Sequence, residues 1–163
     1  MSDLAWELSC SMSSIYKLAP NKDSLVTLAI GKWGADALRD AEAAAATGET
    51  AWDRARRYIR SGGESVGSLS HEFRRDVQRF HSARLAYQVI SDDFVDRVTA
   101  LLEEAARVGE LRPLNPRFIA GLLRYVAAAV RDEPLLDAAG MNAGEAILDI
   151  EKLLWQGLRA DGP

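Results

Sequence analysis

A single cysteine, Cys10, in 163 residues leaves no disulfide framework and no zinc site of paired-cysteine spacing. A reducing, cytoplasmic setting is expected. Histidine is almost as scarce. His71 and His81 lie ten apart and cannot share a helix face as metal ligands four apart would, so neither a metal nor another cofactor is expected. No window reaches the ~18 apolar residues of a membrane span, and the start has no basic flank leading into an apolar run. Neither secretion nor a membrane partner is expected. An excess of basic charge is also missing: 20 Lys and Arg stand against 24 Asp and Glu, which argues against a general nucleic-acid coat. What is present, 48% apolar and 27% charged residues, fits a globular domain or two small abutting ones. A chain of this length can bury roughly 68–70% of its unfolded surface.

Charge is unevenly spread. Residues 1–33 are neutral, 34–90 carry one net positive charge and 91–163 five net negative charges. Any contact with DNA must then be local and lie near the start of the chain.

No stretch alternates with period two, and almost all punctuation reads as helix ends. The expected class is all-α, with about eight helices. Two short ones, Asp3 to Leu8 and Met12 to Leu18, meet at Ser9-Cys10-Ser11. Asn21 caps a long helix running to Ala46, and Thr50 caps another with Ala51, Ala55, Tyr58 and Ile59 on one face. Gly62 and Gly63 are expected to loosen or end that helix. Ser70 opens a short helix to Phe80, and Ala83 to Val108 forms one long helix, bent near Ser91-Asp92 and closed by Gly109. Asn115-Pro116 starts a helix to Arg131, and Asn142 with Glu145 makes a capping-box pair for a last helix ending near Gly157.

The opening segment has the layout of a helix-turn-helix, whose second helix presents N-terminal side chains to the major groove. Ser11 is a suitable N-cap. Met12, Ser13, Ser14 and Lys17 fall on the outer surface, with Ile15 and Leu18 facing inward. Tyr16 can offer a hydroxyl to phosphate, and Lys22 adds a charge beside the first amides of the next helix.

These residues, Asp3-Leu4-Ala5 through Ser11, Ile15-Tyr16 and Asn21-Lys22-Asp23-Ser24-Leu25, resemble the signature of tetracycline-repressor (TetR) family regulators. The resemblance implies a DNA-binding unit over 1–32, here a truncated one, joined by a long helix to a helical ligand-binding and dimerisation domain over 33–163. It implies Ser11, Ser13, Ser14, Tyr16, Lys17 and Lys22 at DNA. The partners it implies are a double-stranded operator, a small-molecule effector and a second copy of the chain. The sequence departs from the family pattern with Ser9 in place of a glycine and Ala19 in place of an aromatic. The family also has a complete helix before the position of Asp3, where this chain begins two residues earlier. Leu4, Leu8, Ile15 and Leu25 are therefore expected to lack cover, at about 25 cal/mol per Å2 of apolar surface left wet. Met1 stands where the family often has valine, so an in-frame helical segment upstream is one expectation. A dimeric helical sensor that has lost DNA binding is the alternative.

Other features carry paired readings. Arg54, Arg56, Arg57 and Arg60, with Arg74, Arg75 and Arg79, line a pocket for an acidic ligand or simply a solvated face. Tyr58, Phe80, His81, Tyr87 and Tyr125 are the candidate pocket residues, because ligand sites set a few polar groups in apolar walls. Cys10 reads as a small buried filler, and Trp6, Trp33, Trp52 and Trp155 as packing. No nucleophile elbow, phosphate-cradling glycine loop or histidine pair with a base supports catalysis, so no catalytic residue is expected. The helices after Asn115 and Asn142 are apolar over more than one face. Phe118, Leu122 and Tyr125 on the first, with Ile147, Ile150, Leu154 and Leu158 on the second, are the expected dimer interface. The alternative buries both helices inside a monomer.

Overall fold

The computed structural model describes residues 2–113, 115–131 and 134–158. Among them are nine α-helices: α1 (Ser2–Glu7), α2 (Met12–Leu18), α3 (Lys22–Ala46), α4 (Ala51–Gly67), α5 (His71–Arg79), α6 (His81–Arg107), α7 (Pro116–Arg131), α8 (Pro134–Ala139) and α9 (Ala143–Leu158). The class is all-α, as expected.

Helix starts follow from local chemistry, because a short polar side chain satisfies one of the first free amides. Ser11 accepts from the Ser14 amide at 3.1 Å, Asn21 from Ser24 at 2.8 Å, Thr50 from Asp53 at 3.0 Å and Ser70 from Phe73 at 3.1 Å. Asn115 accepts from the Arg117 amide at 3.0 Å. Asn142 and Glu145 form the reciprocal pair, at 3.0 and 2.8 Å.

Two expectations are corrected. The additional helix is α8, too short for its periodicity to show, and Leu136 anchors it against Val130, Ala143 and Ala146. Gly62 and Gly63 do not end α4, which continues to Gly67 because both glycines face close neighbours. A Cβ on Gly62 would stand 2.3 Å from the Phe94 ring, and one on Gly63 would stand 3.0 Å from Ile147.

The chain divides into two compact units. The first comprises Met1–Ala35 and Ser70–Ile90, the second Asp36–Leu69 and Ser91–Pro163. The first boundary lies three residues beyond the expected position 32. The segment 70–90, expected in the second domain, groups with the first.

In the first unit Ala5, Ile15, Ala19, Val26, Ile30, Val77 and Ala83 are buried. Gly34 lets Ile90 approach so closely that a Cβ there would meet it at 2.3 Å, and Trp33 tilts against Tyr87 with centroids 5.9 Å apart. In the second unit the core joins Ala41, Ala45, Trp52, Ala55, Tyr58, Val98, Leu101, Leu102 and Leu158. Helices α4 and α9 cross tightly there, with Gly144 of α9 set against Gly63 and Gly67 of α4.

Candidate functional site

The start of α2 is a cluster of hydroxyls. Ser11 Oγ lies 2.8 Å from Ser13 Oγ and 2.9 Å from Ser14 Oγ, and all three serines are exposed. Tyr16 and Lys17 are exposed beside them, while Ile15, only 2% exposed, holds the helix to the unit. One helix thus offers a basic group and several hydroxyls, each able to donate or accept, on its free surface. Such groups can bond phosphate oxygens or base edges. Lys22 follows at the first turn of α3. Its Nζ sits 2.7 Å from Asp76 Oδ2 of α5 and 5.9 Å from the centre of the Phe80 ring.

The turn before α2 puts Ser9 at φ 50°, in the left-handed region that glycine adopts without steric cost. That is the position where the resemblance would have glycine. Around this turn the apolar cover differs from expectation. Leu18, expected inward, is 68% exposed, and Trp6, expected in packing, is 83% exposed. Leu8 is exposed as expected, but Ile15 is buried and Leu25 half-buried. The side chains that do close this part of the unit are small or single, namely Ala5, Ile15 and Ala19. Cys10 is exposed, not a buried filler, because it lies in the turn itself.

The arginines of α4 are committed within the second unit. Arg54 donates to Glu104 at 2.7 Å, and Arg57 to Asp53 at 2.8 Å and to Thr47 at 3.1 Å. Arg56 and Arg60 both reach Glu151 of α9, at 2.6 and 3.5 Å. Glu151 is the buried acid of this unit, 2% exposed, and a carboxylate so placed requires such partners. The Arg56 guanidinium also lies 4.2 Å over the Trp155 ring, which stacks on Trp52 at 5.4 Å. All four α4 arginines are thus paired with acids of the chain itself.

The candidate pocket residues fall in both units. Tyr58 is buried in the second unit and stacked on Phe94, with ring centres 4.9 Å apart. Desolvation, with a smaller contribution from the charge of Glu42, pushes its hydroxyl pKa up to about 12. Tyr125, in the same unit, is 80% exposed on α7, so these two line no common cavity. Phe80, His81 and Tyr87 belong to the first unit. Phe80 caps α5, His81 is exposed with Nδ1 3.2 Å from Arg84, and Tyr87 is half-buried on Trp33. Sequence reasoning did not find the small apolar hollow lined by Leu102, Leu111, Pro116, Ile119 and Leu158, whose volume of about 10 Å3 is too small for an effector. Among the described residues no group of three or more His, Cys, Asp or Glu is set to hold a metal ion. No helix among them is long and apolar enough to cross a membrane.

The expected interface separates into two parts. Phe118, Leu122 and Tyr125 recur at helical spacing on α7, and Phe118 is 69% exposed. Ile119, Leu123, Val126 and Val130 turn α7 to the core, and exposed ion pairs of Arg117 with Glu103, at 3.7 Å, and of Arg124 with Asp92 and Asp96 tie a flank of it to α6. On α9 the expected residues point the other way. Ile147, Leu154 and Leu158 belong to the core that α4 and α6 build, and Ile150 packs with Val130 and Leu136. The physical reason is the glycine notch in α4, which draws that face of α9 inward. The exposed large apolar residue of α9 is Leu153, which sequence reasoning did not single out.

No known family's sequence profile matches the chain, and no curated protein does. A solved structure does. The crystal structure of PfmR, a TetR family transcriptional regulator from Thermus thermophilus, superposes with a TM-score of 0.57 over 97% of this chain and 88% of that one, at 19% identity. The chain has the fold of that regulator.

Proposed function

We propose that the chain is a ligand-responsive transcriptional regulator, a dimeric cytoplasmic repressor that binds a near-palindromic duplex operator and is released by a small-molecule effector. The observation that carries this reading is the start of α2, an N-capped helix with Ser13, Ser14, Tyr16 and Lys17 all on its free surface. The likeness of fold to PfmR supports it. In this reading Ser11, Ser13, Ser14, Tyr16 and Lys17 meet the major groove and its phosphates, and Lys22 adds a phosphate contact. Two copies join through Phe118, Leu122 and Tyr125 of α7 and set their α2 helices in successive major grooves, about 34–36 Å apart. An effector acts by binding better to a form of the dimer in which that spacing is lost. No catalytic role is assigned.

A second reading is a dimeric sensor without DNA binding. The exposure of Trp6, Leu8 and Leu18 favours it, because a unit with so thin an apolar closure holds α2 weakly. One experiment separates the two: selection of bound fragments from a pool of genomic DNA, at low and moderate salt. The regulator enriches one near-palindromic sequence whose binding falls steeply with salt, and Tyr16→Phe and Lys22→Ala weaken it without changing the oligomeric state. A folded dimer that enriches nothing refutes the regulator and leaves the sensor.

A further inference from the structure

The first unit carries seven Lys and Arg against five Asp and Glu, whereas the second carries 13 against 19. The positive charge of this unit comes from two places, α2–α3 and the segment that contains α5. The two meet at Lys22. Its ammonium is 2.7 Å from the Asp76 carboxylate, whose side chain is 27% exposed, and it lies 5.9 Å from the Phe80 ring centre. Arg79 stands at the same distance from that ring. The lysine that would meet phosphate is thus already engaged by an anion on another helix of the same unit.

A phosphate approaching Lys22 meets the Asp76 carboxylate close by. Either the carboxylate stays, and two anions are brought together around one cation, or the ion pair opens and its energy is subtracted from binding. We propose that Asp76 is an intramolecular competitor for DNA phosphate at Lys22, so that α5 sets the affinity of the α2–α3 surface for duplex DNA. The inference rests on the reading of that surface as DNA-binding and assigns it a restraint.

The test uses the full chain and a labelled mixed-sequence duplex, because non-specific binding reports phosphate contacts without knowledge of the operator. Wild type, Asp76→Asn, Lys22→Gln and the double variant are titrated between about 50 and 200 mM salt. Asp76→Ser is a second charge-removing variant, and only variants that keep wild-type helicity and melting are compared. Asp76→Asn is expected to tighten binding about twofold to fivefold, the range that corresponds to an exposed ion pair. Lys22→Gln is expected to lower the slope of log affinity against log salt by about 0.9. In the Lys22→Gln background, Asp76→Asn is expected to have no effect. An unchanged affinity in Asp76→Asn and Asp76→Ser, with wild type binding normally, overturns the restraint and leaves the DNA-binding reading intact. A gain that persists without Lys22 also overturns it, since the carboxylate then acts by general repulsion. Folded proteins of which none binds, the Asp76 variants included, overturn both.

Discussion

The crossing of α4 and α9 makes the substitution of Gly144 by alanine a sharp test of the packing. A Cβ at this position would lie 2.5 Å from Gly67 Cα and 2.8 Å from both Gly63 O and Gly67 N. Carbon atoms pack best at about 3.5–4.0 Å, and the obstacle is backbone, which cannot rotate aside as a side chain can. The helices must separate or shift along their whole contact. Alanine gains about 1 kcal/mol over glycine in helix propensity, and overpacking of a core costs about 1–3 kcal/mol, with backbone obstacles at the upper end. The net expectation is a loss of about 2 kcal/mol, a fall in Tm of roughly 4–8 °C for a chain of this size. Gly31→Ala is the control. It lies inside α3 with nothing within 4 Å of the added Cβ, so it is expected to raise Tm by about 2–4 °C. Thermal scans by circular dichroism and calorimetry read both. If the two units melt separately, each substitution moves the transition of its own unit. A Gly144→Ala protein as stable as wild type would refute the close crossing and the account of Gly63 and Gly67 with it.

Three further outcomes are expected. Ser9→Gly relieves a left-handed residue at φ 50° and is expected to stabilise the α1–α2 turn by about 0.5–1 kcal/mol, read as slower amide exchange in α2; unchanged or faster exchange refutes strain at this turn. Leu122→Arg changes a residue on the outer stripe of α7 and is expected to give folded monomers by light scattering, whereas Leu154→Arg enters the core and lowers Tm; dimers of Leu122→Arg refute the α7 interface. Tyr58, with its folded pKa near 12 against 10 in the unfolded chain, keeps its proton when unfolded tyrosine has lost it. Stability therefore falls as pH rises from about 10 to 12, by roughly 2 kcal/mol, and Tyr58→Phe is expected to flatten that slope in urea titrations; an equal slope in both proteins removes Tyr58 as its cause.

Which features were legible in the sequence depends on whether their cause is local. The caps at Ser11, Asn21, Thr50, Ser70, Asn115 and Asn142 were readable because a capping oxygen and its amide lie two or three residues apart. The surface of α2 was readable for the same reason, since Ile15 marks the inner side and the serines the start. The role of Gly62, Gly63 and Gly67 was not readable. A glycine that admits Phe94 or Gly144 looks, in one dimension, like a glycine that breaks a helix. The placement of α5 with the first unit was equally hidden, because a partner for Lys22 54 residues away leaves no trace in spacing.

The terminal helices show how a correct pattern can be assigned to the wrong side. In α9 the stripe Ile147, Leu154 and Leu158 was visible as a period, but α9 is apolar over more than one face and its period names no partner. Glu151 stands on that same stripe and argues for solvent when read alone. In the fold it is buried because Arg56 and Arg60 of α4 come to meet it. In α7 the reverse occurs. Ile119, Leu123, Val126 and Val130 take the core side, Arg117 and Arg124 stay exposed while they pair with acids of α6, and the apolar stripe of Phe118, Leu122 and Tyr125 is left outside. A helix with one apolar face on its own core and a second, of large side chains, turned away from it leaves a wet apolar stripe, at about 25 cal/mol per Å2. The stripe on α7 is accordingly where covering by a second copy has physical content. The stripe on α9 already has its cover, in α4.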